Sequence, residues 1–448
     1  MNIFPQIKNK SVLILGIGRE GLSTYLFLRK RFPDKALTIA DKLTLSQLPE
    51  KTRSDIAKDK NLKLNLAENY LDKSRGFEIV FVTPGISDSS LAKIKSSQTI
   101  VTSNLELFFE LCQGKIIGIT GTKGKSTTTS LVYQVLKQAG LDVHLAGNIG
   151  KPALDFLIGA NSKTIFVLEL SSYQLMRLQR SPQIAVVQNI VPEHLDYHGS
   201  FSKYVAAKRN MVAYQTNKDL VIFNACSAAA KKMAETSRAK KIPFGLYTKE
   251  IEKTILPLKF VPLKGKFNRQ NILPAIIIGK IFGISNEKIA SAIKSFKPLE
   301  HRLEYIGTIS GIEYYNDSLS TIPESAIAAM TAFPGNLLIL LLGGYDRGLD
   351  FLNLAKVIRK SNVKGVILFP TTGEKIWKAI KTVFRDDKKL PRHVFTSKMK
   401  TAVKQAHSWA KKGDLVLMSP ASASFSIFRD YKDRGDQFKK EVSKLSKK

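Results

Sequence analysis

Lys115-Ile-Ile-Gly-Ile-Thr120 runs directly into Gly121-Thr122-Lys123-Gly124-Lys125-Ser126-Thr127-Thr128. An apolar strand pattern meets a glycine-rich turn, and a helical pattern follows to about Gln138. Strand, turn and helix start in that order make a phosphate cradle, because the N–H groups of the turn and the positive end of the helix converge on one anion. Lys125 is placed to reach the outer phosphates of a nucleoside triphosphate, and Ser126 to ligate the magnesium that accompanies them. The spacing departs from the common nucleotide loop, which has four residues between its first glycine and Gly-Lys-Ser/Thr. Gly118 lies one residue too far upstream for that pattern, and Gly121 lies too close. The local context outweighs the spacing, and the stretch reads as a site for ATP or GTP.

Composition limits what surrounds it. A chain of 448 residues exceeds one core, so two or three domains are expected. Hydrophobic content of 44% suits a globular protein. The most apolar run, Leu337-Leu-Ile-Leu-Leu-Leu342, is too short to span a bilayer and reads as a buried strand. The N-terminus carries no apolar signal region, so a cytoplasmic protein with no membrane partner is expected. Cys112 and Cys226 show no metal or disulfide spacing and read as inert thiols. Lys and Arg number 70 against 37 Asp and Glu, a formal charge of +33. Such an excess often marks nucleic-acid binding. Here the basic residues spread along the whole chain, with a run in the tail at Lys439, Lys440, Lys444, Lys447 and Lys448, and no arginine-rich block is interleaved with aromatics. The distribution favours a Lys-rich composition and anionic substrates over nucleic acid.

Three α/β parts follow from the alternation of strand and helix patterns: residues 1–112, 113–297 and 298–448. The middle part has strand patterns at Thr164–Leu168, Ile184–Gln188 and Leu220–Asn224. The last has them at Ile312–Asn316, Leu337–Leu342, Val363–Phe369 and Leu415–Met418. A break at Phe296-Lys-Pro298-Leu-Glu-His-Arg302 separates them and reads as a hinge. The first part opens with the strand pattern Ser11–Leu15, the turn Gly16-Ile-Gly18-Arg-Glu-Gly21, and Asp41 at the end of the next strand. Taken alone this fits a dinucleotide-binding dehydrogenase. The turn only shows that backbone can approach a diphosphate, and a UDP-sugar satisfies it equally. Beside a second phosphate cradle at Lys125, an enzyme that brings ATP to another nucleotide-linked substrate is the better reading.

An ordered set of motifs extends the argument over essentially the full length. After Gly121–Thr127 come Gly147-Asn-Ile-Gly150, Glu169-Leu-Ser-Ser-Tyr-Gln174, Asn189-Ile-Val-Pro-Glu-His-Leu-Asp196 and Tyr204-Val-Ala-Ala-Lys208. Then follow Asn268 with Asn271, His301-Arg302, Asn316-Asp-Ser-Leu-Ser-Thr321, Gly343-Gly-Tyr-Asp-Arg347 and Ser419-Pro-Ala-Ser-Ala-Ser424. In this order they resemble the Mur ligase family, and within it the MurD type, the UDP-N-acetylmuramoyl-L-alanine:glutamate ligases. The resemblance implies three domains: a Rossmann-like UDP-binding domain, a central P-loop-type ATPase domain with a parallel sheet, and a C-terminal Rossmann-like domain that binds glutamate. It implies that ATP phosphorylates the alanyl carboxylate of UDP-MurNAc-L-Ala, and that the amine of glutamate attacks the resulting acyl phosphate. Both steps gather anions, so the site must supply cations.

The resemblance also assigns residues. Gly121, Thr122, Lys123, Gly124, Lys125, Ser126 and Thr127 would cradle the ATP phosphates. Ser126 and Glu169 would hold one magnesium, and His194 with Lys208 a second. Lys208 matches a lysine that CO2 converts to a carbamate, which gives it a carboxylate-like end; from chemistry alone it reads as a surface helix lysine. Lys125, Glu169, His194 and Lys208 form the catalytic set. Glu169 ends an apolar strand, where a carboxylate needs a cation. Asn268, Asn271, Arg302 and Asp317 match further ATP ligands, and Arg302 would reach ATP by closure about Phe296–Arg302. Arg19, Glu20, Asp41, Lys42, Thr83, Gly85, Asn148 and His194 would line the UDP-substrate site. Thr321, Arg347, Ser424 and Tyr431 would hold glutamate, with Arg347 offering a planar fork to a carboxylate. A monomer is expected.

Four positions depart from the resemblance. Leu319 stands where the family commonly has lysine, Glu193 where it has aspartate, Phe267 where it has histidine, and Lys123 where it has asparagine. Leu319 and the Tyr345-Asp-Arg347 variant bear on the glutamate pocket. D-glutamate is the expected substrate, while L-glutamate, another Mur or folylpolyglutamate-type amide ligase, and a basic nucleic-acid-stimulated NTPase stay open as alternatives.

Overall fold

The computed structural model describes residues 2–246, 249–384, 386 and 389–447, so Lys448 of the basic tail lies outside the described residues. The chain forms two compact units, Met1–Ile255 with Gln270–Ile293, and Leu256–Arg269 with Lys294–Lys448. The first boundary falls inside the helix Lys266–Ile281.

The first unit contains two parallel sheets. One is built from β1 (Val12–Leu15), β2 (Leu37–Asp41), β3 (Leu62–Leu66), β4 (Ile79–Val82) and β5 (Ile100–Thr102), in the order β3-β2-β1-β4-β5. The other holds β6 (Lys115–Thr120), β7 (Val143–Gly147), β8 (Ile165–Glu169), β9 (Ile184–Val187), β10 (Leu220–Asn224) and β11 (Lys240–Phe244), in the order β11-β10-β9-β6-β8-β7. Helical crossovers cover both faces of such sheets, so central strands read as continuous apolar runs rather than alternating ones. Val12–Leu15 and Ile184–Val187 are buried at every position for this reason. One hydrophobic core runs through both sheets. At their seam Phe108, on the helix Asn104–Leu111, meets Phe166 of β8 edge-on, with ring centroids 5.0 Å apart.

In the second sheet β6 is flanked by β9 on one side and β8 on the other. Strand order therefore reverses around β6, and in open α/β sheets the crevice beyond the carboxyl ends at such a reversal is where ligands bind. The loop Gly121–Gly124 leaves β6 at that place, and the helix Lys125–Gln138 begins directly after it, as the sequence led one to expect.

The second unit carries β12 (Glu304–Ile309), β13 (Ile312–Asn316), β14 (Leu338–Gly343), β15 (Val363–Phe369), β16 (Arg392–Phe395) and β17 (Leu415–Met418), in the order β12-β13-β17-β14-β15-β16. β12 pairs antiparallel with β13, and the remaining pairs are parallel. Residues of β14 alternate between two cores: Leu338, Leu340 and Leu342 face one, Ile339 and Leu341 the other. The apolar run read as a buried strand is thus a central strand covered on both faces. The strands expected in the middle and last parts appear within one residue of their anticipated ends. Between the helix Asn286–Lys294 and β12 the chain has no helix or strand, and the unit boundary at Ile293/Lys294 lies just before the anticipated break. Among the described residues no helix is long and apolar enough to cross a membrane.

Candidate active site

The loop between β6 and its helix is held from outside. Gly124 caps the helix with φ +88°, and Gly121 has φ +151°. A β-carbon on Gly121 would stand 2.6 Å from Cβ of Gln188, and one on Gly124 would collide with the amide oxygen of Asn271. Thr122 is the anchor between them. Its N–H donates to Asn189 O at 2.7 Å, and its hydroxyl meets Val191 O and the Tyr204 hydroxyl, each at 2.9 Å. Thr128 donates to Asn271 O at 2.9 Å and receives the Gln188 side-chain amide at 2.5 Å. The Asn189–Asp196 and Tyr204–Lys208 motifs and Asn271 therefore surround the same loop. Lys125 Nζ lies 3.0 Å from Thr122 O, over the turn.

Beside the loop stands a compact group of charges. Register places Glu169, the last residue of β8, against Ile119 of β6 and Gly147 of β7. Glu169 is 1% exposed. Its Oε1 accepts from Asn148 Nδ2 at 2.7 Å, and its Oε2 is buried with no hydrogen-bond partner. An orphan carboxylate oxygen is expensive unless a cation meets it. Magnesium is a hard cation that takes oxygen ligands and usually keeps substrate phosphate and water in its sphere. Glu169 and the Ser126 hydroxyl at the helix start fit such an ion. Among the described residues no three His, Cys, Asp or Glu side chains gather for a metal, so phosphate, hydroxyl or water oxygens must complete the sphere.

Lys208, on the helix Phe201–Ala213, is also 1% exposed, which corrects its reading from residue chemistry as a surface lysine. Its Nζ lies 3.4 Å from Thr120 Oγ1 and 4.8 Å from the Tyr204 ring centroid. Burial holds its ammonium well below the ordinary lysine range, Lys125 pushes the same way, and Glu193 and Glu169 oppose. His194 has φ +56° and packs 5.2 Å from the Tyr173 ring. Burial lowers its proton affinity; Lys125 and Lys208 add to that, and Glu193 and Asp196 resist. The shift favours the neutral imidazole, the form that can ligate a metal. Lys123 and Glu193, two of the departures from the family pattern, pair with each other at 2.6 Å. Burial would raise the Glu193 carboxyl, but Lys123 and then Lys125 hold it below its usual range.

The first sheet presents its residues to the same unit. Gln174 Nε2 donates to the half-buried Glu20 at 2.5 Å, and the Arg19 guanidinium donates to Gly150 O. Burial raises the Glu20 carboxyl against the pull of Gln174 and Arg19. Asp41 is committed to backbone: its oxygens accept Ile17 N at 2.8 Å and Leu43 N at 2.9 Å, which fixes the Gly16–Gly21 turn. Thr83 Oγ1 donates to Leu15 O at 3.1 Å. Lys42, Gly85 and Asn148 are exposed.

The second unit holds Asn268, Arg302, Asp317 and the four residues expected to hold glutamate, whereas Asn271 belongs to the first. Asn268 Nδ2 donates to Lys264 O at 2.7 Å. Asp317 is buried and accepts from Ser320 at 2.5 Å, Ser419 at 2.7 Å and Leu303 N at 3.1 Å. Burial pushes it up to about 6 against those hydrogen bonds and Arg302. Arg302 keeps a buried Nε with no hydrogen-bond partner. β13, β17 and β14 are adjacent parallel strands, so the loops after them, with Thr321, Ser424 and Arg347, leave one edge of the sheet together. Arg347 lies over the Phe425 ring at 5.7 Å, and the Tyr431 ring meets His301 at 5.9 Å. Residue reasoning passed over Arg434, a fully buried arginine bonded to Ser318, Ser422 and Ala423. Its only sequence signal is an Arg-Gly step inside a charged helix.

Comparison with known proteins agrees with this geometry. Residues 119–279 match the family described as Mur ligase middle domain, and residues 301–422 match Mur ligase, glutamate ligase domain. The UDP-N-acetylmuramoylalanine–D-glutamate ligase of Acetivibrio thermocellus is 34% identical over 98% of this chain and 97% of its own. That of Clostridium tetani is 34% identical over 98% of both chains. The fold resembles the crystal structure of UDP-N-acetylmuramate-alanine ligase MurC from Thermotoga maritima, with a TM-score of 0.59 at 15% identity, covering 97% of this chain and 100% of that one. The chain belongs to the Mur ligases, in the family of the UDP-N-acetylmuramoylalanine–D-glutamate ligases.

Proposed function

We propose that this protein joins D-glutamate to the alanyl carboxylate of UDP-N-acetylmuramoyl-L-alanine with ATP, through an acyl phosphate, in peptidoglycan precursor synthesis. Relatives matched from end to end support the reaction and the D enantiomer. The observation that carries the reading is the buried Glu169, with one unpartnered oxygen, grouped with Lys125 and Lys208 at the mouth of the phosphate loop. A carboxylate is a poor acyl donor, and phosphorylation gives it a leaving group.

The residues divide the work. Backbone N–H groups of Gly121–Thr127 and Lys125 would cradle the phosphates and neutralise charge on the group in transfer. Ser126 and Glu169 would hold one magnesium, and His194 with a carbamylated Lys208 another. Magnesium supplies charge neutralisation between the phosphates and the substrate carboxylate. Asn148 donates to Glu169 and would contact the reacting end of the substrate. The low proton affinity of Lys208 supports the carbamate. A neutral amine can attack the carbon of CO2 and lose a proton, leaving an anion where an ammonium would repel metal. Arg19, Glu20, Asp41, Lys42, Thr83 and Gly85 would meet the UDP part; Asn268, Asn271, Arg302 and Asp317 the nucleoside and phosphates of ATP. Thr321, Arg347, Ser424 and Tyr431 would hold the amino acid. We propose a cytoplasmic monomer, since one chain supplies every residue given a role.

The test is ATP-dependent phosphate release with magnesium and UDP-MurNAc-L-Ala, run in parallel with D- and L-glutamate, with the product identified by mass. Turnover with D-glutamate is expected. Turnover with L-glutamate alone would refute the enantiomer, and product with neither would refute the reaction. Lys208→Ala should be inactive and partly rescued by acetate; full activity without additive would remove the carbamate.

A further inference from the structure

We infer that Arg434 is a positioning residue for the acidic amino acid: a buried cation that ties together the loops carrying Thr321, Arg347, Ser424 and Tyr431. The inference rests on the glutamate-ligase reading and adds a residue to it.

Arg434 lies in the first turn of the helix Tyr431–Ser443 and has 0% exposure. One side of its guanidinium grips the loop after β13, with Nη2 donating to Ser318 O at 2.9 Å and Nε to Ser318 Oγ at 3.0 Å. The other side grips the loop after β17, with Nη1 donating to Ser422 O at 3.0 Å and to Ala423 O at 3.4 Å. Ala423 O also accepts Tyr345 N at 2.7 Å, which fastens the loop after β14 to the same point. Gly344 passes so near that a β-carbon there would stand 3.1 Å from Nη1. Ser318 Oγ in turn donates to Tyr431 O at 2.7 Å and closes the ring onto the start of the helix. Thr321 follows Ser318 by three residues, Ser424 follows Ala423, Arg347 follows Tyr345 by two, and Tyr431 begins the helix that carries Arg434. One side chain therefore fixes the spacing of all four.

Its charge is the second part of the argument. The guanidinium donates to three carbonyls and a hydroxyl, and among the described residues no carboxylate pairs with it within 4.0 Å. Asp317 is the carboxylate that acts on it through space, against a burial that brings the guanidinium down to about 9, still protonated at neutral pH. A buried cation without a contacting anion is costly to maintain. The planar fork is what lets one group hold two loops at fixed distance.

The experiment compares Arg434→Lys and Arg434→Gln with the full-length wild-type protein in the phosphate-release assay, with glutamate, ATP and UDP-MurNAc-L-Ala each varied in turn. Arg434→Gln keeps some hydrogen bonding and loses the charge. The KM for glutamate should rise about thirtyfold or more in Arg434→Gln and about three- to tenfold in Arg434→Lys, each tenfold corresponding to about 1.4 kcal/mol of glutamate binding lost as the loops move apart. The KM for ATP should stay within about twofold, because Asp317, the ATP-side residue next to Ser318, is held in place by Ser320, Ser419 and Leu303 N rather than by Arg434. A merely structural arginine would raise both constants together or lower only the amount of folded protein. If Arg434→Gln does not fold, Arg434→Lys alone decides by the same split. Wild-type turnover with a glutamate KM unchanged in the variants, or with both constants raised equally, overturns the inference alone. A wild-type protein inactive with either glutamate overturns the ligase reading and this inference with it.

Discussion

Replacing Gly124 by alanine probes the nucleotide loop through a collision that can be relieved separately. Gly124 adopts φ +88° at the cap of the helix Lys125–Gln138. An L-residue in that region costs about 1–2 kcal/mol. The new β-carbon would also run into Oδ1 of Asn271, with Cγ at 3.0 Å and Nδ2 at 3.4 Å. Asn271 is 4% exposed, so its side-chain amide has little open space to withdraw into, and the Thr128 hydroxyl at 2.9 Å fixes its main-chain carbonyl. Overpacking of this kind adds about 1–3 kcal/mol. The substitution should therefore destabilise the first unit by about 2–5 kcal/mol, the two contributions together. Asn271→Ala removes the obstructing amide. In that background Gly124→Ala should cost only the backbone share, about 1–2 kcal/mol, leaving a coupling of about 1–3 kcal/mol between the two sites. The assay is urea unfolding of the wild type, both single variants and the double variant. Strict additivity would show that Asn271 does not crowd the loop and would refute the reasoning.

Two further predictions test the charged groups. Glu169→Gln keeps the oxygen that accepts from Asn148 and removes the unpartnered, charged one. It should fold, by circular dichroism, and lose about 10²- to 10³-fold in turnover, the range for one lost electrostatic contact to a reacting group; a loss under about tenfold would remove Glu169 from the chemistry. Asp317 is raised from an ordinary 3.8 to about 6, chiefly by burial. The folded state then holds its proton over a range where the unfolded chain has lost it. Its contribution is therefore present in full below about 4 and disappears as the pH rises through 6, a change of about 3 kcal/mol. Urea midpoints should fall over that interval in the wild type, and Asp317→Asn should flatten the fall; an unchanged slope in the variant counts against the buried carboxyl as its source.

What the sequence disclosed followed from how far each signal reaches along the chain. The phosphate loop was legible because strand, glycines and helix start lie within one short stretch, and β14 because both of its faces are buried. β11 and β16 were not read. Lys240, Lys241 and Pro243 in one, and Arg392 and His393 in the other, give no apolar run, since each strand lies at the edge of its sheet. The unit boundary between Arg269 and Gln270 left no trace because the helical pattern runs straight through it. The site divides in the same way. Glu169 stood out as a carboxylate at the end of an apolar strand, an anomaly visible in five residues. Lys208 did not, since its burial depends on Thr120, 88 positions away. Lys123 and Glu193 each looked like an isolated departure, and only the fold shows that 70 positions of separation end in one ion pair. A lysine in the phosphate loop could draw Glu193 away from His194, or it could be the partner that balances the half-buried carboxylate. The lowered carboxyl of Glu193, with Lys123 as its chief cause, and the 2.6 Å pair favour the second: the two departures compensate, so substituting either alone should lower turnover in the phosphate-release assay more than restoring both to the commoner residues together.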